Sequence, residues 1–451
     1  MRAFGSLHSW SELAVCDEVT LDLSAFQDVA LAEHDGVTIA RVGAGCRLQT
    51  LLDRLRTLGG RTLPTLGVIK RQTVAGAVST ATHGSGMQSL SHFILGARLA
   101  GYDPETGEPR VFEYRGGDAL RAARCGLGCM GILLSLELAT VGKYQVEERI
   151  VRRASLDEVL RAYHNFPLTQ FALVPYAWKY LCFERRAREG VRLSLRERGK
   201  ALFWRLYNSL WIDMAFHVFV KTAVALGPRA VRLFLRCTPS LSLEGRRIDD
   251  AERVLTMGHH YFRHEEMEFF VPQLRLGEAL EVLRCATEIF AGTTEGVGGR
   301  LQETLHAHGL YAELLRHRGS YTHHYPYSIR RLLPEDALVS MGSSLAEPAF
   351  SVSVFTYSEP YEREAYYAFC AWLARCMNAL FDARLHWGKH FPLGPDEVAH
   401  AYPGLEAFRQ ACRAVDPRGV FRGGYAGRLL GFDAVQPVMA PRDAVRAGLP
   451  R

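Results

Sequence analysis

Residues 63–86 concentrate side chains and backbone groups that can bind an oxyanion. Glycines, threonines, serines and one histidine alternate there with short apolar runs. The segment shows neither a helical period nor a clean strand alternation, so it is not an ordinary core element. Glycines at this density let a backbone approach a ligand closely, and hydroxyl and amide groups can bind oxyanions. A diphosphate-bearing cofactor is the expected ligand, and a glycine-rich surface loop is the alternative.

Strands and one amphipathic helix must hold this segment in place. The pattern predicts the helix at 48–58 and strands at 19–23, 37–42, 93–101, 111–114 and 132–138. The helix ends at Gly59 and Gly60, as glycine commonly follows a helix. No G-x-G-x-x-G motif opens a helix after a strand, which disfavours a Rossmann fold. The pattern is typical of an α+β cofactor domain.

The second half of the chain predicts a second α+β domain. Its strands are expected at 266–272 and 351–357, and its helices at 277–290 and 362–381. We therefore divide the chain into a first domain, a second domain and a loose Pro/Arg/Ala-rich tail, at residues 1–142, 143–431 and 432–451.

Residues 200–236 combine aromatic and aliphatic side chains with interspersed arginines and a lysine. The charges interrupt the segment too often for a membrane span, which needs about 20 consecutive apolar residues. Two interpretations stay open, namely core helices or an aromatic and basic helix lying on a membrane surface. The pattern slightly favours core packing.

Composition excludes several classes of protein. The 451 residues are 48% hydrophobic and 23% charged, which is typical of a folded globular protein with two domains. The net charge of +6 comes from scattered arginines rather than a basic stripe, so nucleic acid is not an expected partner. The ten cysteines include no CxxC pair, which predicts reduced thiols and no metal site. The N-terminus has no apolar signal region, so we expect a cytoplasmic protein. Peripheral membrane contact through 200–236 is the alternative.

Three segments together resemble the aldonolactone oxidase and alditol oxidase branch of the vanillyl-alcohol-oxidase flavoprotein superfamily, which includes D-arabinono-1,4-lactone oxidase. Gly5-Ser6-Leu7-His8-Ser9-Trp10 is similar to the family's Gly-Ser-Gly-His-Ser loop, and the segment 63–86 follows it. Arg384-Leu385-His386-Trp387-Gly388-Lys389 is similar to Arg-Pro-His-Trp-Gly-Lys. The resemblance implies an α+β fold with two domains, a PCMH-type FAD-binding domain and a cap domain built on a large antiparallel sheet.

The resemblance also implies which residues bind FAD. They are Gly5, Ser6, His8, Ser9, Gly67, Thr73, Gly76, Ala77, Thr80, His83, Gly84, Ser85, Ile132 and Lys389. The imidazole matching His8 is bonded covalently to the flavin in relatives, and an exposed loop histidine is the alternative. Gly67 matches a position in front of the flavin where a small residue leaves room for oxygen.

Lys389 and Arg330 are the catalytic residues that the resemblance implies. A fixed ammonium at Lys389 would stabilise reduced flavin, and Arg330 would polarise the substrate oxygens. Ser328, however, stands where the family has the glutamate of a Glu-x-Arg signature. His323 or His324 could replace that carboxylate as a base, although a histidine pair before a strand is more often structural.

The start of the chain is the second departure from the family pattern. Met1 lies almost at the Gly5–Trp10 loop, whereas relatives have a strand–helix–strand unit before it. We therefore expect either a true start upstream or an FAD domain that lacks this unit.

The activity implied is that of an FAD-dependent oxidase of a sugar-derived lactone or polyol. Hydride would pass to the flavin and the electrons then to O2, giving hydrogen peroxide. Two alternatives stay open. One is a membrane-associated dehydrogenase with a quinone or protein acceptor, and the other is a flavin-binding protein without activity.

Overall fold

The computed structural model describes residues 1–16, 18–257 and 263–432. Apart from Phe432, the tail predicted at 432–451 lies outside the described residues. The first 142 residues contain nine strands and three helices, namely β1 (Arg2–Phe4), β2 (Thr20–Asp22), β3 (Val29–His34), β4 (Val37–Gly43), α1 (Leu48–Gly59), β5 (Arg61–Thr62), α2 (Val74–Ser79), β6 (Ile94–Tyr102), β7 (Pro109–Tyr114), α3 (Gly117–Arg124), β8 (Ile132–Ala139) and β9 (Val141–Gly142).

Five of these strands form an antiparallel sheet in the order β3-β4-β8-β6-β7. Helix α1 buries one stripe of leucines, Leu48, Leu51, Leu52 and Leu55, and ends at Gly60, whose φ of 59° is left-handed. This spacing of three and four residues is the helical period from which α1 is predicted. Each predicted strand and helix of this region is present, with ends shifted by one or two residues.

A second, eight-stranded antiparallel sheet has the order β13-β10-β12-β11-β15-β16-β14-β17. Its strands are β10 (Gln145–Arg153), β11 (Gln170–Val174), β12 (Lys179–Arg188), β13 (Gly245–Asp250), β14 (Glu265–Pro272), β15 (Tyr327–Leu332), β16 (Ala349–Thr356) and β17 (Arg384–Leu385). The predicted α+β class with a large antiparallel sheet is confirmed.

Twelve helices accompany this sheet in the described part of the chain. They are α4 (Leu156–Ala162), α5 (Leu195–Tyr207), α6 (Phe216–Leu226), α7 (Pro228–Leu241), α8 (Ala251–Leu255), α9 (Leu276–Phe290), α10 (Gly299–Ala307), α11 (Tyr311–Arg316), α12 (Glu364–Phe381), α13 (Pro395–Ala401), α14 (Leu405–Val415) and α15 (Gly424–Leu429). A wider π-helical turn, Asn208–Ala215, joins α5 and α6 into one helix, Leu195–Leu226.

The two faces of the large sheet differ in chemistry. Ile329, Val352 and Phe269 are register partners and face the core formed with α9 and α12. The next row, Ser328, Ser353 and Glu268, points to the opposite face because side chains alternate along a strand. The large sheet therefore has one apolar face and one face that carries polar groups.

Candidate active site

The three motif segments converge, although up to 380 residues separate them. The backbone N–H of Trp10 donates to Gly388 O at 3.0 Å, and Ser11 Oγ donates to Trp387 O at 2.6 Å. On the other side of the loop, Ser6 Oγ donates to Arg71 O at 2.6 Å. The loop that carries His8 and Ser9 therefore lies between the glycine-rich segment and the segment that ends in Lys389.

Thr73 organises the start of α2. Its hydroxyl accepts the N–H of Gly76 at 3.2 Å and caps the helix, while Thr80 Oγ1 donates to Gly76 O at 3.1 Å. A Cβ at Gly5 would lie 2.3 Å from Thr73 Oγ1, so the loop can approach this cap only with glycine. Ala77 is fully buried behind it. Thr73, Gly76 and Thr80 are thus linked by hydrogen bonds, and Gly5 packs against them.

His8 is half-buried in a positively charged environment. Burial, followed by the charges of Arg71, Arg47 and Lys389, lowers the pKa of its imidazole below 6.5. The ring is therefore neutral near neutral pH, which is the form that a nucleophilic nitrogen needs. The same arginines provide the positive charge that a diphosphate requires.

His83, Gly84 and Ser85 turn toward the large sheet. Ser85 Oγ accepts the N–H of Arg331 at 3.1 Å and donates to Thr169 O. The carbonyl of His83 accepts a hydrogen bond from Arg330 Nη1 at 3.3 Å. In the structure, the end of the glycine-rich segment thus joins the small sheet's domain to the large sheet.

A buried charge cluster lies at this junction. Arg330 Nη2 donates to Glu268 Oε1 at 2.5 Å, and His83 Nε2 lies 3.3 Å from the same oxygen. Burial would raise the pKa of Glu268, but the attraction of Arg330, His83 and His386 outweighs it and holds that pKa well below its usual range. Burial also lowers the pKa of His386 well below 6.5. Glu268 is therefore an anion that Arg330 neutralises.

His83, Glu268 and His386 also have the spacing of a metal site, because one ligand atom from each lies within 4.8 Å of the others. Arg330 contacts the same carboxylate, however, and its positive charge would repel a cation. We therefore assign the cluster to charge pairing.

Glu268 places a carboxylate in the same cross-strand row as Ser328. Ser328, Ser353 and Glu268 occupy one row across β15, β16 and β14. The Ser328 hydroxyl accepts a hydrogen bond from Gln170 Nε2 at 3.0 Å. The sequence signal was present in β14, where Glu266 and Glu268 alternate with apolar residues in a fully buried strand.

The histidine pair proposed as a substitute base is structural. His323 stacks on Tyr327 with ring centroids 4.3 Å apart, and His324 Nε2 accepts the N–H of Tyr357 at 2.9 Å. Burial lowers the pKa of His324 to about 4. Tyr327 lies on the apolar face of the sheet, opposite Ser328, so the alternative interpretation in the sequence analysis is the correct one.

Lys389 pairs with Glu266 at the edge of the polar face. Its Nζ contacts Glu266 Oε2 and lies 4.5 Å from the centroid of the Trp10 ring. Both charged groups are largely buried. The pair holds the ammonium beside the loop that carries His8, and the catalytic role of Lys389 stays a prediction.

Two other predicted positions have packing roles. A Cβ at Gly67 would lie 2.5 Å from Thr82 Cγ2, so close packing of the loop accounts for this glycine, and oxygen access at Gly67 stays a prediction. Ile132 begins β8 and pairs with Ala100 in the small sheet. Within the described ranges, no hydrogen bond joins Ile132 to Lys389 or to His8.

A cavity of about 680 Å³ opens on the polar face of the large sheet. One end is polar, with Lys389, Glu266, Arg330 and Ser328 in its lining. The surface of its walls is mainly apolar. The large sheet contributes Ala172, Leu181 and Phe183, and the segment between Leu195 and Leu241 contributes Trp211, Ile212, Phe216 and Phe234.

These residues fit a bound flavin. Buried polar atoms are normally hydrogen-bonded, yet several atoms on this face have no such partner within the described residues, namely His83 Nε2, Glu268 Oε2, Arg330 Nε, Ser351 Oγ and Ser353 Oγ. Of these residues, Arg330 and Ser353 line the cavity and can meet the polar edge of a flavin ring or of a substrate. Together with the cationic environment of His8, they provide what FAD requires.

Comparison with known proteins agrees with this site. The model of the D-arabinono-1,4-lactone oxidase family matches residues 137–429, and an FAD-binding domain model matches 1–103. A long-chain alcohol oxidase from an uncultured marine euryarchaeote is 38% identical over 96% of this chain and 90% of its own. An L-gulono-1,4-lactone dehydrogenase from Mycobacterium tuberculosis is 26% identical with the same coverage.

Solved structures share the fold. Cholesterol oxidase from Brevibacterium sterolicum superposes with a TM-score of 0.66 at 12% identity, covering 95% of this chain and 89% of that one. The predicted cofactor, FAD, and the predicted superfamily are confirmed. The chain belongs to the D-arabinono-1,4-lactone oxidase family and is an FAD-dependent oxidoreductase that acts on alcohol or lactone substrates.

Proposed function

We propose that this enzyme oxidises a primary alcohol with a long hydrocarbon chain to the aldehyde, with O2 as the final electron acceptor. The observation that carries the proposal is the cavity of about 680 Å³, whose wall surface is mainly apolar and whose polar lining residues include Lys389, Glu266 and Arg330. A substrate that matches it has one hydroxyl and an extended apolar remainder.

The wall chemistry discriminates between an alkyl chain and a sugar. Each methylene transferred from water to the apolar walls contributes about 0.8 kcal/mol. A sugar lactone would instead bring several hydroxyls against Phe183, Ile212 or Phe234, where they lose water without gaining partners. The 38% identical relative is named a long-chain alcohol oxidase, which supports the same substrate class.

The sugar lactone or polyol of the sequence analysis remains the second candidate. The family name and the 26% identical L-gulono-1,4-lactone dehydrogenase favour it. The polar side chains in the lining could bind a lactone, but most of the wall surface is apolar.

The side chains at the polar end have distinct roles in this proposal. FAD held at this site would supply the acceptor for the hydride of the carbinol carbon. Glu266 accepts the hydroxyl proton, so the alcohol loses one hydride and one proton and becomes the aldehyde. Lys389 and Arg330 stabilise the negative charge that develops on the substrate oxygen. Glu268 does not line the cavity and positions Arg330 by holding its guanidinium.

His8 is proposed to bind the cofactor covalently. Its neutral imidazole is suited to nucleophilic attack, and the loop around it is fixed to Gly388 and Arg71. A covalent bond would retain FAD during turnover.

Anaerobic reduction of the bound flavin tests the substrate class. The purified holoenzyme is mixed with primary alcohols of increasing chain length, with D-arabinono-1,4-lactone and with a polyol, and the loss of flavin absorbance is followed. We expect kcat/KM to rise about four-fold per added methylene, from about 0.8 kcal/mol each, until the chain fills the cavity. Faster reduction by the lactone would overturn the proposal, and reduction by none of these compounds would support an inactive flavin-binding protein.

Reoxidation tests the acceptor. After reduction, the flavin is mixed with either O2 or a quinone. Fast reoxidation by O2 with release of hydrogen peroxide is expected, whereas fast reoxidation by the quinone alone would identify a dehydrogenase.

A further inference from the structure

Residues 195–241 expose an unusual amount of apolar surface. Of the 21 large apolar side chains that are exposed in the described part of the chain, 11 lie in this segment. Leu202, Phe203, Leu210, Phe219, Leu226 and Leu233 are examples, each between 47% and 74% exposed. Such a concentration on one element marks an interaction site rather than ordinary surface variation. We call the exposed side chains of 195–241 the apolar–basic face.

The helix that carries most of this face is only shallowly packed. Leu195–Leu226 is long and apolar enough to cross a membrane by length and composition, and only 24% of its most apolar window is buried. Its inner stripe, with Trp204, Phe216 and Val220, is buried against the rest of the protein. The core packing favoured for 200–236 is therefore correct for one stripe and wrong for the other.

The net positive charge of the chain lies in the segment that carries this face, which corrects the scattered distribution inferred from the composition. Residues 195–241 contain eight lysines and arginines and two acidic residues, an excess of six. The whole chain has 54 basic and 48 acidic residues, also an excess of six, so the remainder of the protein is formally neutral. Lys200, Arg229 and Arg236 are among the exposed basic residues. Apolar side chains with a basic surround match the surface of an anionic bilayer.

The face also borders the cavity. Leu206 and Leu241 line the cavity and are 53% and 50% exposed, so these side chains belong to both surfaces. A hydrocarbon chain that leaves a bilayer at this face would reach the apolar walls without crossing water.

We propose that the apolar–basic face docks on an anionic lipid bilayer and that the alcohol enters the cavity directly from it. Entry of the substrate rests on the proposed function, whereas docking does not. The contact is peripheral because charged residues anchor the helix to the protein, as in the ion pairs Arg205–Asp249 at 2.9 Å and Lys221–Glu359 at 3.1 Å. Insertion of the helix across the bilayer would break both pairs.

Vesicle sedimentation tests docking without any substrate. The holoenzyme is mixed with vesicles of phosphatidylcholine alone or with added phosphatidylglycerol. One variant, L202Q/L210Q/F219Q, removes apolar side chains of the face, and a second, K200Q/R229Q/R236Q, removes basic ones. None of these six residues lines the cavity. The matched control, L58Q/V111Q/L274Q, replaces equally exposed apolar residues on other parts of the protein.

We expect the wild type and the control to sediment with the anionic vesicles, and the bound fraction of both face variants to fall at least ten-fold. Flavin content should be equal in all four proteins, which verifies their folding. Wild-type protein that stays in the supernatant with both vesicle types would overturn the proposal. A wild-type dimer in analytical ultracentrifugation that L202Q/L210Q/F219Q converts to monomer would also overturn it, because the face would then bind a second copy.

A second measurement tests substrate entry. Oxidation of a long-chain alcohol embedded in vesicles should fall at least ten-fold in L202Q/L210Q/F219Q, while oxidation of a short water-soluble alcohol should be unchanged. Equal loss on both alcohols would refute entry from the bilayer. Vesicle binding by a protein that oxidises no alcohol would leave docking supported and would reject only the proposed function.

Discussion

Glu268 and Arg330 form an ion pair of 2.5 Å across an intervening strand. Glu268 lies in β14 and Arg330 in β15, with β16 between them. The residues of β16 in the same two rows are Ser353 and Ser351, whose small side chains leave room for the pair to form above them. In the family's Glu-x-Arg signature, the glutamate and the arginine lie two residues apart in one segment. Here the carboxylate next to Arg330 comes from Glu268 in another strand, β14.

Glu268→Gln should destabilise the fold near neutral pH by about 3–5 kcal/mol, because it leaves the buried Arg330 without its counter-charge. The pKa of Glu268 is lowered in the folded state, so its contribution is complete above the unfolded value of about 4.5 and declines as the pH falls below it. The difference between wild type and variant should therefore narrow below pH 4.5. Urea unfolding at several pH values measures this difference in the free energy of unfolding. Glu281→Gln, which breaks the exposed pair with Arg284, should cost less than about 1 kcal/mol, and an equal cost for both variants would contradict the buried pair.

Lys389→Met should slow flavin reduction by the alcohol about 10²- to 10³-fold, because the developing negative charge loses its cation. Glu266→Gln should slow it by a similar factor through loss of the proton acceptor. Since the two groups form one pair, the double variant should be only slightly slower than either single variant. Stopped-flow reduction measures all three, with the exposed Lys179→Met as the control. Effects that multiply in the double variant would mean that the residues act independently.

His8→Ala should still bind FAD but release it on acid precipitation, whereas the wild type keeps its flavin in the pellet. Attachment of FAD to the apoprotein should also persist at pH values below 6.5, because the lowered pKa keeps the His8 imidazole neutral there. Flavin fluorescence of the denatured protein reports both results. The exposed His164→Ala serves as the control. Release of flavin from the wild type would show that His8 is not bonded to it.

Ala172→Phe should reduce the maximum chain length of the alcohols that are oxidised, because the new ring would occupy cavity space next to β11, beside Ser328. Long-chain substrates should lose at least ten-fold in kcat/KM, and short ones should change little. Ala187→Phe adds the same ring on the exposed side of β12 and should have no such effect. A uniform loss over all chain lengths would place the alkyl chain elsewhere.

The sequence predicted the local elements well because each carries its own signal. The leucine stripe of α1 and the alternation in β14 both identify an element within a short window. The motif segments at His8, 63–86 and Lys389 were sufficient for the cofactor. These segments meet only in the complete fold. Their order and spacing along the chain match the family pattern, and this match made their proximity predictable.

The partner of Arg330 could not be predicted in the same way. Glu268 precedes Arg330 by 62 residues, and only the strand order β15-β16-β14 makes them neighbours. Local pattern does not determine strand order. For Leu195–Leu226 the sequence left core packing and a surface helix both open, because the neighbours of an apolar helix decide which of its sides is covered.

The contacts of the His8 loop have a consequence for biosynthesis. Trp10 and Ser11 bond to Gly388 and Trp387, so the ammonium of Lys389 reaches the loop only after more than 380 residues have been made. A ribosome-bound chain can form the small sheet early, but it cannot yet complete the site. The site that joins the His8 loop to Lys389 is therefore completed only late in synthesis, and a nascent chain stopped before β17 lacks the residues that close it.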